Sequence, residues 1–81
     1  MMHKSDEVLT KILDFLGLER SSVNLQEDFL YAGTVDSFGL IQLLSYIQEE
    51  FGVSFSEDEL EDKSLRTLEG LSQAVYRKLR S

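Results

Sequence analysis

The chain has 81 residues, no cysteine and no proline, with 42% hydrophobic residues and a formal net charge of −7. These figures exclude disulfide staples and thiolate metal sites, and they leave apolar burial as the source of stability in a chain near the lower size limit for unaided folding. The negative charge also argues against a nucleic-acid partner, because phosphate contacts need clustered Lys and Arg.

The charge is unevenly spread. From Glu27 to Asp62 there are ten acids (Glu27, Asp28, Asp36, Glu49, Glu50, Glu57, Asp58, Glu59, Glu61, Asp62) and no Lys or Arg. Two readings are open: a surface that steers basic partners, or a solvated face that keeps the protein soluble. No apolar stretch approaches the roughly 20 residues that span a bilayer. Met1-Met2-His3-Lys4 leads into charged residues without an apolar signal region, so a cytoplasmic protein without membrane insertion is expected.

A first helix is expected over about Ser5 to Leu16, capped by Ser5 and stopped by Gly17, with Val8, Leu9, Ile12, Leu13 and Leu16 forming one apolar stripe. Residues Leu18 to Val35 lack periodicity. Leu25, Phe29 and Leu30 are expected to pin this long loop to the core, through a short turn of helix, which makes it ordered and functional.

The second helix is expected from Ser37 to Phe51, with Asp36 as N-cap and Gly52 as stop. Leu40, Ile41, Leu43, Leu44, Ile47 and Phe51 are assigned to its buried face, and Phe38, Gln42, Ser45 and Glu49 to the exposed one. Ser56 and Glu59 form a capping box that opens a short third helix ending near Glu61 or Asp62, with Leu60 inward. A fourth helix starts near Thr67 and turns Leu68, Leu71, Val75 and Leu79 inward; Gly70 within it marks a close packing contact. The fold class that follows is all-α: a small bundle of three main helices and one short one, with a long ordered loop between the first two, in a single domain over residues 1–81.

Independent catalysis is not expected. The sole histidine, His3, precedes the first helix, so no Ser–His pair forms on a helix, and the acids of Glu57–Asp62 lie on a short exposed element without a cleft. Their spacing does not match a calcium loop. Ser37 has a use that needs no catalytic neighbour. At a helix start the backbone N–H groups and the dipole stabilise an anion, so a phosphodiester on this serine would be tolerated. On its own, an Asp-Ser helix start is common.

The run Gly33-Thr34-Val35-Asp36-Ser37-Phe38-Gly39, then Leu40-Ile41-Gln42-Leu43-Leu44 and Glu49-Glu50-Phe51-Gly52-Val53, resembles the attachment site and second helix of acyl carrier proteins. The resemblance extends through nearly the whole chain. Asp-Ser-Leu is the commoner form of the motif; Asp-Ser-Phe-Gly is similar to D-alanyl and other freestanding carriers. The resemblance implies a 4′-phosphopantetheine arm on Ser37, added from coenzyme A by a phosphopantetheinyl transferase, with Asp36 assisting the transferase metal. It implies a monomeric carrier of acyl or aminoacyl thioesters, filled by a loading ligase and read by downstream acyl-transfer enzymes. Phe38, Gln42, Ser45, Glu49, Glu57 and Asp58 would form the partner surface. Carriers of fatty acid synthesis place several acids on the exposed face of the second helix, whereas here that face holds one, Glu49. That departure favours a specialised pathway, with drift in sequence as the other explanation. The alternative from another class is an unmodified acidic helical module that binds a basic protein.

Overall fold

The computed structural model describes residues 4–80 of the chain; the expectation for His3 lies outside them. Helix α1 spans Lys4–Leu16, α2 Phe29–Ala32, α3 Ser37–Phe51, α4 Glu57–Leu60 and α5 Leu68–Arg80, with single turns of 3-10 helix at Arg20–Ser22 and Lys63–Arg66. No strand occurs among the described residues, and no helix is long and apolar enough to cross a membrane. The all-α bundle expected from the sequence is the fold observed.

The core follows from the apolar spacing. Val8, Leu9, Ile12 and Leu13 of α1 meet Leu68, Leu71 and Val75 of α5 and Leu43 and Ile47 of α3 in one cluster. Each helix turns one stripe inward, which three helices together can bury and none could alone. Gly17 and Gly52 end α1 and α3 in the left-handed region, at φ 72° and 70°. The Leu18 N–H donates to the Leu13 carbonyl at 2.9 Å and that of Gly17 to Asp14 at 3.1 Å, the paired bonds of a Schellman ending.

The loop between α1 and α3 is tied down as expected. Phe29 is 2% exposed, while Val23, Leu25 and Leu30 pack against the cluster. The Asp28 carboxylate caps α2 by accepting from the Leu30 and Tyr31 amides at 3.0 Å each. The Glu69 amide at the start of α5 donates to the Leu25 carbonyl at 3.1 Å, and the Gln26 side-chain amide donates to the Glu69 carboxylate. Arg20 reaches Thr10 of α1 at 3.1 Å.

Five expectations are corrected. Ser5 lies inside α1, whose span begins at Lys4, so it is not the cap. Ile41 is 63% exposed. At about 100° per residue it lies roughly 160° round α3 from Leu43, and its apolar character had outweighed its angle. Leu79 is 43% exposed because it falls in the last turn of α5, beyond the part of the helix where Leu71 and Val75 meet the core. The third helix ends at Leu60, short of Glu61, and Leu60 is half-buried rather than core. A 3-10 turn at Lys63–Arg66, with Leu65 buried, then leads into α5. The capping box at Ser56 and Glu59 is present in both directions, at 3.2 and 2.8 Å.

Candidate functional site

The site is built at the point where the loop becomes α3. Val35 is 3% exposed and its amide donates to the Phe29 carbonyl at 3.1 Å, which anchors the residue two before Ser37. Gly33 closes α2 with its own amide on Leu30. Asp36 then takes the extended conformation of an N-cap, φ −87° and ψ 178°. Its carboxylate accepts from the Gly39 amide at 2.6 Å and its carbonyl from Leu40 at 2.8 Å. Ser37 is the first helical residue and is exposed.

This arrangement offers an accessible hydroxyl beside the start of a fifteen-residue helix. The amides of Ser37 and Phe38 have no acceptor within the helix, and the positive end of its dipole favours negative charge there. A phosphodiester on the Ser37 oxygen fits: there is no carboxylate on the first turn of α3 beyond the cap itself. Room is kept by Gly39, where a Cβ would stand 3.0 Å from Asp36 Oδ1 and 3.4 Å from Val35 Cγ1. Among the described residues no group of three or more His, Cys, Asp or Glu is placed to hold a metal.

The other residues singled out from the sequence fall in two places. Phe38, Gln42, Ser45 and Glu49 lie along one exposed face of α3, with Phe38 67% exposed. Glu57 and Asp58 are exposed on the first turn of α4. Between α3 and the approach to α4 is a hollow of about 210 Å³ lined by Ile41, Leu44, Ser45, Gln48, Ser54 and Phe55. Ile41 was missed as a surface residue, although its angle on the helix was a usable signal. Tyr31, 92% exposed on α2, carried no signal, because a four-residue helix has no readable period.

The acids between Glu27 and Asp62 are not uniformly solvated. Glu50 pairs with Lys11 of α1 at 2.6 Å, and this hydrogen bond, with the charge of Glu50, raises the Lys11 pKa above its ordinary 10.5. Glu59 pairs with Lys78 of α5 at 2.8 Å. The hydrogen bond from Lys78, then that from the Ser56 amide, holds its carboxyl below the usual 4.5. The Ser64 amide and hydroxyl do the same for Asp62, below 3.8. Burial between the helices pushes the Tyr46 phenol up from 10.0, where its ring stacks on Phe15 at 4.4 Å.

Comparison with known proteins agrees with this geometry. The family described as "Phosphopantetheine attachment site" matches residues 6–75. The chain is 34% identical to the acyl carrier protein of Chlamydia felis over 67 residues, 83% of each chain. It is 33% identical to that of Chlamydia trachomatis serovar L2 over 67 residues, 83% of this chain and 84% of the relative. No match to a solved structure was significant. The chain belongs to the acyl carrier protein family, a carrier rather than an enzyme, with 4′-phosphopantetheine as its covalently attached prosthetic group.

Proposed function

We propose that Ser37 is the attachment point of the arm, and that the chain is one freestanding carrier domain that works in the cytoplasm. The observation that supports this most is the exposed hydroxyl of Ser37 at the first position of α3, between the Asp36 cap and the Phe38 side chain. A phosphopantetheinyl transferase would bring coenzyme A and Mg²⁺ to this end of the helix. The bond from Ser37 Oγ to phosphorus forms, the pyrophosphate bond of coenzyme A breaks, and the hydroxyl proton passes to the transferase. Asp36 is placed to offer its second carboxylate oxygen to the transferase metal while the first holds the Gly39 amide.

When attached, the arm supplies the thiol on which acyl or aminoacyl groups ride as thioesters, a group this chain cannot supply because it has no cysteine. The protein contributes a rigid, accessible seat for the arm and a surface that loading ligases and acyl-transfer enzymes read. The scarcity of acids on the exposed face of α3, where Glu49 alone stands with Phe38, Gln42 and Ser45, supports a specialised pathway over general fatty acid synthesis.

Intact mass tests the reading. Coexpression with a broad-specificity transferase adds one phosphopantetheine to the wild type and none to Ser37→Ala. A Ser37→Ala protein that gains the same mass would move the site elsewhere. Loading by a purified ligase followed by mass measurement then identifies the cargo class.

A further inference from the structure

The three most exposed large apolar side chains among the described residues are Tyr31, Phe38 and Ile41, and all lie within six residues of Ser37 in sequence. Phe38 and Ile41 are three apart on α3 and so are neighbours on its surface. Ile41 also forms one wall of the hollow shared with Leu44 and Phe55. A large aromatic and a β-branched aliphatic held side by side in water, next to an apolar recess, are what the centre of an interface looks like when the partner is away.

The charges around this face are arranged to match. From Ser37 to Gln48, α3 carries no charged residue. Acids begin only at Glu49, and Glu50 beyond it is already held by Lys11 at 2.6 Å. On the other side of the hollow, Phe55 is followed by the exposed Glu57 and Asp58 of α4. The face thus has an uncharged apolar centre with acids confined to its rim.

We propose that partner enzymes dock on α3 through apolar contact rather than through charge. Phe38 and Ile41 are the anchors; the partner presents an apolar side chain to the hollow beside Ile41, with cations only where its edge meets α4. The proposal rests on Ser37 as the attachment site and concerns how that site is recognised. A second copy of this chain is a poor occupant, because the face belongs to a segment with ten acids and no base, and two copies would oppose like charges. A partner with an apolar centre and a basic edge meets both parts of the surface. Docking of this kind depends weakly on salt, since the contact that dominates it carries no charge to screen.

The probe is the unloaded protein as substrate for a purified phosphopantetheinyl transferase, with the modification followed by mass. Phe38→Ala and Ile41→Ala, each at an exposed position, are expected to fold with wild-type thermal midpoints. Each should raise KM about tenfold with kcat little changed, the size of an interface anchor lost. Leu79→Ala, which removes a similarly exposed apolar side chain from α5, should leave KM unchanged. Raising salt from about 50 to about 500 mM should lower wild-type kcat/KM less than about threefold.

Wild-type KM in the Phe38→Ala, Ile41→Ala double variant overturns the proposal. So does a fall of tenfold or more with salt in the wild type. A dimer in sedimentation that Phe38→Ala dissociates would give the face to a second copy, and effects seen only after loading would give it to the cargo; either overturns it. A wild type that gains no arm at all sinks instead the assignment of Ser37.

Discussion

The Asp36 carboxylate accepts from the Gly39 amide at 2.6 Å, so the residue before Ser37 is fastened to the residue two beyond it. Two roles meet in that one side chain, and two variants separate them. Asn caps helices about as well as Asp, whereas Ala forfeits roughly 1 kcal/mol. Asp36→Ala should therefore lower the thermal midpoint by about 4–8 °C. Asp36→Asn should melt close to wild type yet accept the arm at least about tenfold more slowly, because the neutral amide is a poor ligand for the transferase's metal. Calorimetry and timed mass spectra on the same preparations check both.

Gly70 is held against the backbone of the preceding 3-10 turn. A Cβ there would stand 1.9 Å from the Ser64 carbonyl oxygen and 2.8 Å from Thr67 Oγ1, which itself accepts from the Gly70 amide. Gly to Ala inside a helix ordinarily gains up to about 1 kcal/mol, but overpacking against backbone costs about 1–3 kcal/mol or more. Gly70→Ala is expected to be destabilised by about 1–2 kcal/mol, read as a lower denaturant midpoint at unchanged slope.

Glu59 and its Lys78 partner give the acid limb of the stability curve a specific contributor. The carboxyl is held below 4.5 in the folded state, so its stabilising effect is complete above that value and is lost as pH falls through the lower folded one. Glu59→Gln keeps the capping-box acceptor for the Ser56 amide and removes the ion pair. The melting temperature of this variant should trail wild type near pH 6, and the gap should close as pH falls below about 4.

Phe29 anchors the loop that leads to Ser37, from a position 2% exposed. Phe29→Ala is expected to cost about 3–5 kcal/mol, a large part of the roughly 5–15 kcal/mol that holds a domain of this kind together. Urea unfolding followed by far-UV circular dichroism should show the midpoint fall by a third or more.

Much of this was legible in the sequence where a local rule acts alone. The Asp36 cap, the Gly17 and Gly52 endings and the Ser56–Glu59 box were readable because each depends on a few adjacent residues. The seat of Ser37 was readable for the same reason. Ile41 was not, because an apolar side chain was taken as a buried one, and that inference runs only one way. The 3-10 turn at Lys63–Arg66 buries Leu65 without any periodic run to announce it. Nor could the sequence reveal that Glu50 and Glu59 take partners from α1 and α5, since those pairings join residues far apart in the chain.

The bond from Glu69 to the Leu25 carbonyl has a consequence in time. Synthesis delivers Ser37 from the ribosome before α5, yet α5 supplies the donor that fastens the loop leading to Ser37. Until translation has passed Glu69, that loop lacks one of its moorings and the first helix lacks its principal packing partner. The seat for the arm is thus completed by the last helix to be made, which places its modification after translation rather than during it.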